Sequence, residues 1–327
     1  MTFILAIFVI LLHASYLDFL DPGLPGYDFT YIIQRIFLVL GDAAVPTFFV
    51  VSGYLLFTKF TLKGYPKMLL HKVFSLVIPY FIWSVTAFLI MQIIYPLIKG
   101  EAINITFQSA LIDILLSKEC PHLWFIQPLA VYFICSPLLY FIFKYLRKWS
   151  IFIPAILFVI YLFFRPYYGG ILLFIPLFFI GSYLSYFKVS IINKYHPRLF
   201  SLLAVVTLFG LALTFTLIHA EYEDYAYYCY CFVSPALVWI ALDVLTSLFE
   251  KERIYNIFKT SGFIYFSHLF VVAGIKELLQ LGIKVDSNYN CALLFFLVFI
   301  LSTTLDLLIT YLLQRFAKPV YKSLGGR

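Results

Sequence analysis

Phe3-Ile4-Leu5-Ala6-Ile7-Phe8-Val9-Ile10-Leu11-Leu12-His13-Ala14-Ser15 is an apolar run interrupted by one imidazole. Nothing within the run can offset that group. An ionisable side chain at membrane depth costs about 2.5–3.5 kcal/mol on insertion scales when charged and central, and it ordinarily faces a bundle interior, a partner or water. His13 therefore has two readings: a neutral ring hydrogen-bonded to a neighbouring helix, or a functional residue. The rest of the chain decides that this run lies in lipid. Of 327 residues, 63% are hydrophobic, 21% aromatic and 12% charged, where ordinary globular domains carry about 25% charged residues. A soluble core cannot absorb that much apolar surface. The expected class is an all-α, polytopic integral membrane protein, with 26 Tyr and 38 Phe suited to interfacial belts and close helix packing.

A helix needs about 20 apolar residues to cross a bilayer. Candidate spans are 3–17, 34–57, 69–96, 121–143, 150–165, 171–187, 199–219, 226–248, 262–281 and 292–314. They predict about ten transmembrane helices in one bundle, and a single membrane-embedded domain over 1–327, without internal repeats or linkers. Basic residues gather in alternate loops, among them Lys59, Lys63, Lys67 and Lys72, then Lys144, Arg147 and Lys148, then Lys251, Arg253 and Lys259. The intervening loops carry Asp18, Asp21, Asp28 and Asp286. The positive-inside rule puts both termini in the cytoplasm, with the protein in the inner (plasma) membrane. His13 then sits roughly 15 Å deep, near the bilayer middle.

The net charge of +7 is spent on topology, so no nucleic-acid partner is expected, and membrane lipids are the general partner. The five cysteines form no metal-ligand spacing, since Cys229 and Cys231 make only a C-x-C. No metal and no permanently bound cofactor is expected. The first segment lacks the basic start and small-residue cleavage site of a signal peptide.

Further along stands Ala44-Val45-Pro46-Thr47-Phe48-Phe49-Val50-Val51-Ser52-Gly53-Tyr54-Leu55-Leu56-Phe57. Pro46 interrupts the helix ladder, and Ser52-Gly53 permits close backbone approach. Next come Pro121-His122-Leu123-Trp124-Phe125-Ile126, then Phe178-Phe179-Ile180-Gly181, then Ser261-Gly262-Phe263-Ile264-Tyr265-Phe266-Ser267-His268. With the first-helix histidine, these segments occur in the order found in the type-3 membrane acyltransferases, which the chain resembles over nearly its whole length. Size and layout are most similar to small bacterial enzymes that O-acetylate surface glycans.

The resemblance implies that an acetyl or other short acyl group moves from acetyl-CoA, as co-substrate, to a hydroxyl of a cell-envelope glycan or its lipid-linked precursor. It makes His13 the general base or transient acyl acceptor, roles that a neutral imidazole can fill. Ser52 and Tyr54 could donate hydrogen bonds to a thioester or tetrahedral oxygen, or could serve packing. Lys67, His71 and Lys72 crowd the start of the third span, where they could contact the phosphates of CoA or simply mark topology and bind anionic lipid. His122 and Trp124 open the fourth span at the outer boundary and are candidates for acceptor binding. His268, one turn beyond Tyr265, is a further candidate, structural or functional, together with that tyrosine. Asp42, Asp243, Glu277 and Asp306 are acids at or near membrane depth. Asp42 could orient an imidazole N–H as the partner of a base.

Two positions depart from the family pattern. Eleven residues before the histidine the family usually has Arg or Lys, and here Thr2 stands there. At the family's R-x-x-R pattern this chain has Lys72 and Ser75. Competing readings are a polysaccharide exporter, because broken helices with midplane polar groups also mark transporters, and a catalytically inactive paralogue.

Overall fold

The structure is a computed structural model that describes residues 2–103, 105–164, 174–189, 197–218, 225–248 and 260–326. The basic cluster Lys251, Arg253 and Lys259, and the side chain of Asp243, lie outside the described residues. All regular structure among the described residues is helical. The helices are α1 Thr2–His13, α2 Tyr27–Asp42, α3 Ala44–Phe57, α4 Tyr65–Lys72, α5 Ile78–Leu89, α6 Tyr95–Lys99, α7 Phe107–Leu116 and α8 Ile126–Ile134. They continue with α9 Ser136–Leu146, α10 Phe152–Phe164, α11 Ile175–Tyr186, α12 Pro197–Leu217, α13 Tyr225–Leu248, α14 Ser261–Gln280, α15 Asn288–Phe316 and α16 Lys318–Ser323.

Eight stretches among the described residues are long and apolar enough to cross a membrane, against the ten expected. The expected spans 121–143 and 150–165 share one such stretch, 136–163, and the expected span 171–187 is the shorter helix Ile175–Tyr186, with 171–173 outside the described residues. The expected span 121–143 is a 3-10 turn, Pro121–Phe125, followed by α8 and α9. Pro137 has no N–H for the carbonyl of Phe133 and its ring crowds that oxygen. The Ser136 hydroxyl donates to it instead, at 2.8 Å. The run 136–163 is interrupted at Arg147, whose φ of 49° departs from helical geometry. Predicted span 34–57 is two helices meeting at Ala43, with Pro46 in the first turn of α3.

Proline also accounts for two π-helical turns. Val73–Val77 and Ile90–Ile94 widen the helix just before Pro79 and Pro96. The N–H of Ile78 reaches the carbonyl of Val73, and that of Tyr95 reaches Ile90. A π turn accommodates the carbonyl that each proline ring would otherwise strike.

Helix α1 is central and packs on α2, α3, α14 and α15. Its face with Leu5 and Val9 joins a core with α2, α12 and α13, while Ala6, Ile10 and Leu11 join one with α14 and α15. The most extensive pairing is α3 with α11, and it is made by glycine. A Cβ on Gly181 would lie 1.9 Å from the Val50 carbonyl oxygen, and one on Gly53 would lie 2.1 Å from that of Phe178. The S-G-Y and F-F-x-G segments are thus the two halves of one close crossing.

Beyond α1, the Tyr16 N–H donates to Gln34 Oε1 at 2.7 Å and Lys276 Nζ donates to the Ser15 carbonyl at 2.7 Å. At the same end, Asp21 N–H donates to Asn288 Oδ1 at 3.0 Å and Asn288 Nδ2 donates to the Asp21 carbonyl at 2.8 Å. These bonds fix the turn that follows His13.

Candidate active site

The basic end of the bundle opens into a cavity of about 780 Å³ between α3, α4, the π turn, α8 and the start of α14. Lys59, Lys67, His71 and Lys72 line it, with Ser52 and Ser75. Its apolar lining includes Phe48, Phe125, Leu129 and Phe133, and it also reaches Tyr265 and Phe266. Lys72 is half-buried and its ammonium lies 4.2 Å from the centre of the Phe133 ring. The Tyr65 hydroxyl donates to the Ile134 carbonyl at 2.8 Å and ties α4 to α8. Thr2, Lys72 and Ser75 all line the same cavity.

Tyr265 and Phe266 also contact a cluster of three imidazoles. The ring centroids of His13 and His268 are 5.2 Å apart, and those of His122 and His268 are 4.6 Å apart. Each ring comes from a different element: His13 from the end of α1, His122 from the turn Pro121–Phe125, and His268 from α14. The Tyr265 hydroxyl donates to the His122 carbonyl at 2.6 Å, which locks that turn to α14. Tyr265 and His268 are three residues apart, so they share a face of α14.

The hydrogen bonds assign the protons. His122 Nε2 lies 3.2 Å from the Phe266 carbonyl, which can only accept, so Nε2 carries hydrogen. Its Nδ1 is then the acceptor, 3.5 Å from Cys120 Sγ. His268 Nδ1 lies 2.8 Å from the Tyr265 carbonyl and 3.2 Å from that of Ile264, so Nδ1 carries hydrogen there. Among the described residues, neither ring nitrogen of His13 has a hydrogen-bond partner. The charged neighbour of His13 is Lys276, whose ammonium also sits 4.6 Å from the Tyr16 ring centre. Sequence reading did not link Lys276 to the site, although a lysine inside a span was the available signal.

The remaining candidates separate. Ser52 lines the cavity, while the Tyr54 ring meets Trp239 of α13 edge-on at 5.1 Å. Asp42 is the charged neighbour of Tyr230 and Cys231 on α13. His122 is buried against His268, whereas Trp124, two residues on, is 40% exposed beside Phe174. Asp306 accepts from the Ser267 hydroxyl at 2.6 Å and joins α15 to α14 next to His268. Among the described residues, no three His, Cys, Asp or Glu side chains are grouped to hold a metal ion.

Removing one hydroxyl tests the interlock. Tyr265→Phe strands the buried His122 carbonyl, at a cost of about 1–3 kcal/mol. The variant is expected to melt at a lower temperature than the parent in the same detergent. An unchanged melting temperature would show that the hydrogen bond does not hold the turn.

The three rings lie beside the Tyr265–Phe266 pair that lines the basic-mouthed cavity, none of them lining it itself, and an imidazole is a group that can accept a proton or an acyl group. No curated protein and no solved structure matches this chain. A family model described as an acyltransferase domain does match, over residues 2–314, and it spans the cavity, the three histidines and the glycine crossing alike: the chain belongs to the type-3 membrane acyltransferases.

Proposed function

We propose that this acyltransferase takes an acetyl or other short acyl group from acyl-CoA at the basic end and transfers it to a hydroxyl of a cell-envelope glycan or its lipid-linked precursor. The basic end faces the cytoplasm in this reading, with both termini there, and the protein lies in the inner membrane. The observation that carries the reading is the continuity of the cavity, from lysines at its mouth to the Tyr265–Phe266 pair that touches the histidine cluster. Lys67, His71 and Lys72 supply positive charge for the CoA phosphates, and the Phe125, Leu129 and Phe133 wall suits the uncharged arm that follows. Ser52, which lines the cavity, donates to the thioester oxygen in this reading. His13 takes the proton from the acceptor hydroxyl or carries the acyl group transiently. Trp124 offers an exposed ring face to the acceptor.

The test uses purified protein in liposomes, acetyl-CoA labelled in the acetyl group, and glycan-bearing membrane extract. Label is expected in the glycan fraction. Glycan moved across the bilayer without label would replace the transferase by an exporter. Lys72→Ala is expected to raise the KM for acetyl-CoA about tenfold, equivalent to losing one charge-assisted contact, and to leave the KM for glycan nearly unchanged. Lys59→Ala should do less, because exposed charges are screened within about 8 Å at physiological salt. A Lys72 variant with unchanged donor KM would remove the proposed phosphate site.

A further inference from the structure

His268 is the most deeply buried of the three imidazoles, with no exposed surface. Its two nitrogens differ sharply. Nδ1 is committed to two backbone carbonyls of its own helix, Ile264 and Tyr265. That commitment leaves Nε2 as the basic nitrogen, since a neutral imidazole has one donor and one acceptor. Nε2 is buried and has no hydrogen-bond partner among the described residues. A buried acceptor without a partner is unfavourable and calls for a reason. His122 offers the contrast, for both of its nitrogens are engaged.

The surroundings hold the ring in place. The Ser267 hydroxyl, one residue earlier, donates to Asp306 and fixes the rotation of α14 against α15. The Tyr265 hydroxyl fixes α14 against the turn that carries His122. Between these anchors, the ring of His268 lies within 5.2 Å of the His13 ring, centre to centre. No direct hydrogen bond joins the two rings, and that separation leaves one water as the link between a His13 nitrogen and His268 Nε2.

We propose that His268 is a positioning residue for His13, which orients that imidazole and holds, on Nε2, the proton that His13 removes from the acceptor. This rests on the acyl-transfer reading above. The acceptor O–H bond breaks and its proton passes to a ring nitrogen of His13. The hydroxyl oxygen bonds to the acyl carbonyl carbon. His268 Nε2 takes the proton from His13 while its Nδ1–H stays on the Tyr265 carbonyl. The carbon–sulfur bond breaks, and the departing CoA thiolate receives the proton back through the same pair. The products are the acylated glycan and CoA thiol, so protons and electron pairs balance.

His268→Asn separates this role from a structural one. The asparagine amide N–H replaces Nδ1–H on the Tyr265 carbonyl, but no basic nitrogen remains at the Nε2 position. Transfer of labelled acetyl from acetyl-CoA to glycan is measured with the purified variant in liposomes. The expected result is a kcat lower by about 10–100-fold with an acetyl-CoA KM within about twofold of the parent. A folded variant with parental kcat, alongside an inactive His13→Ala, would overturn the relay and leave the acyl-transfer reading standing. Activity retained in His13→Ala would instead defeat that reading itself. If His268→Asn does not fold, the rate of the unaltered protein in mixtures of light and heavy water decides. A curved dependence, with two protons in flight, supports the His13–His268 pair, and a linear one refutes it.

Discussion

His13→Ala is expected to lower acyl transfer by about 10²–10⁴-fold, the usual contribution of a positioned general base, while the protein still inserts and folds. The two halves of that expectation have separate physical grounds. His13 ends α1, and neither of its nitrogens is hydrogen-bonded among the described residues, so its removal breaks no polar anchor. The turn after it is held by others, the Tyr16 N–H on Gln34 and Lys276 on the Ser15 carbonyl. A sugar hydroxyl, however, is a weak nucleophile that needs a base beside the reacting carbonyl. The measurement is transfer of labelled acetyl from acetyl-CoA to glycan, together with the elution profile and melting temperature of the variant. Near-parental turnover would displace His13 from the centre of the reaction. Loss of the folded protein would contradict the claim that the ring carries no structural load.

The largest effect on stability is expected at Gly181. A methyl group there would stand 1.9 Å from the Val50 oxygen, 2.7 Å from its carbon and 3.0 Å from the Tyr54 nitrogen. These are backbone atoms, which cannot rotate aside as a flexible side chain would. Helices α3 and α11 must therefore separate, with loss of contacts around Phe49, Phe178 and Phe179 in the core they share. Gly181→Ala should cost at least about 3 kcal/mol, at the upper end of overpacking effects, and Gly53→Ala should behave alike. Gly210 in α12 is the control, because a Cβ there meets nothing within 4 Å. Gly210→Ala is expected to be neutral or stabilising by about 0.5–1 kcal/mol, since glycine is the poorer helix former. Thermal unfolding of the three variants in one detergent checks the order. A Gly181→Ala protein as stable as the parent would mean that the crossing is looser than the backbone distances require.

Much of this protein is determined by its sequence alone. Composition fixes the solvent: with 63% hydrophobic and 12% charged residues, only lipid can surround the chain. The isolated imidazole in the first apolar run marks a position that should face the bundle interior, and the structure sets it beside His268. The crowding of Lys59, Lys67, His71 and Lys72 marks one end of the bundle, and the structure gathers those four around one cavity. The order of the motifs gives the family.

Tertiary structure alone decided how those pieces meet. The predicted span 121–143 is a 3-10 turn and two helices, with Pro137 at the second break, where the Ser136 hydroxyl takes up the Phe133 carbonyl that hydropathy does not register. His122 reads from sequence as a boundary residue beside Trp124, yet the 3-10 turn buries one and exposes the other. Tyr54, adjacent to the cavity-lining stretch, turns to Trp239, and Asp42 to the side of Tyr230. The common reason is the solvent itself. In water, apolar periodicity tells which face of a helix is buried. In a bilayer both the lipid-facing and the protein-facing sides are apolar, so the pattern carries no such direction. Which faces pair is settled by small residues that let backbones approach and by polar groups that must find partners. Gly53 against Gly181 and Tyr265 against the His122 carbonyl are contacts of this kind. The second brings His122 to His268, and the packing of α1 on α14 adds His13 from a distant part of the chain.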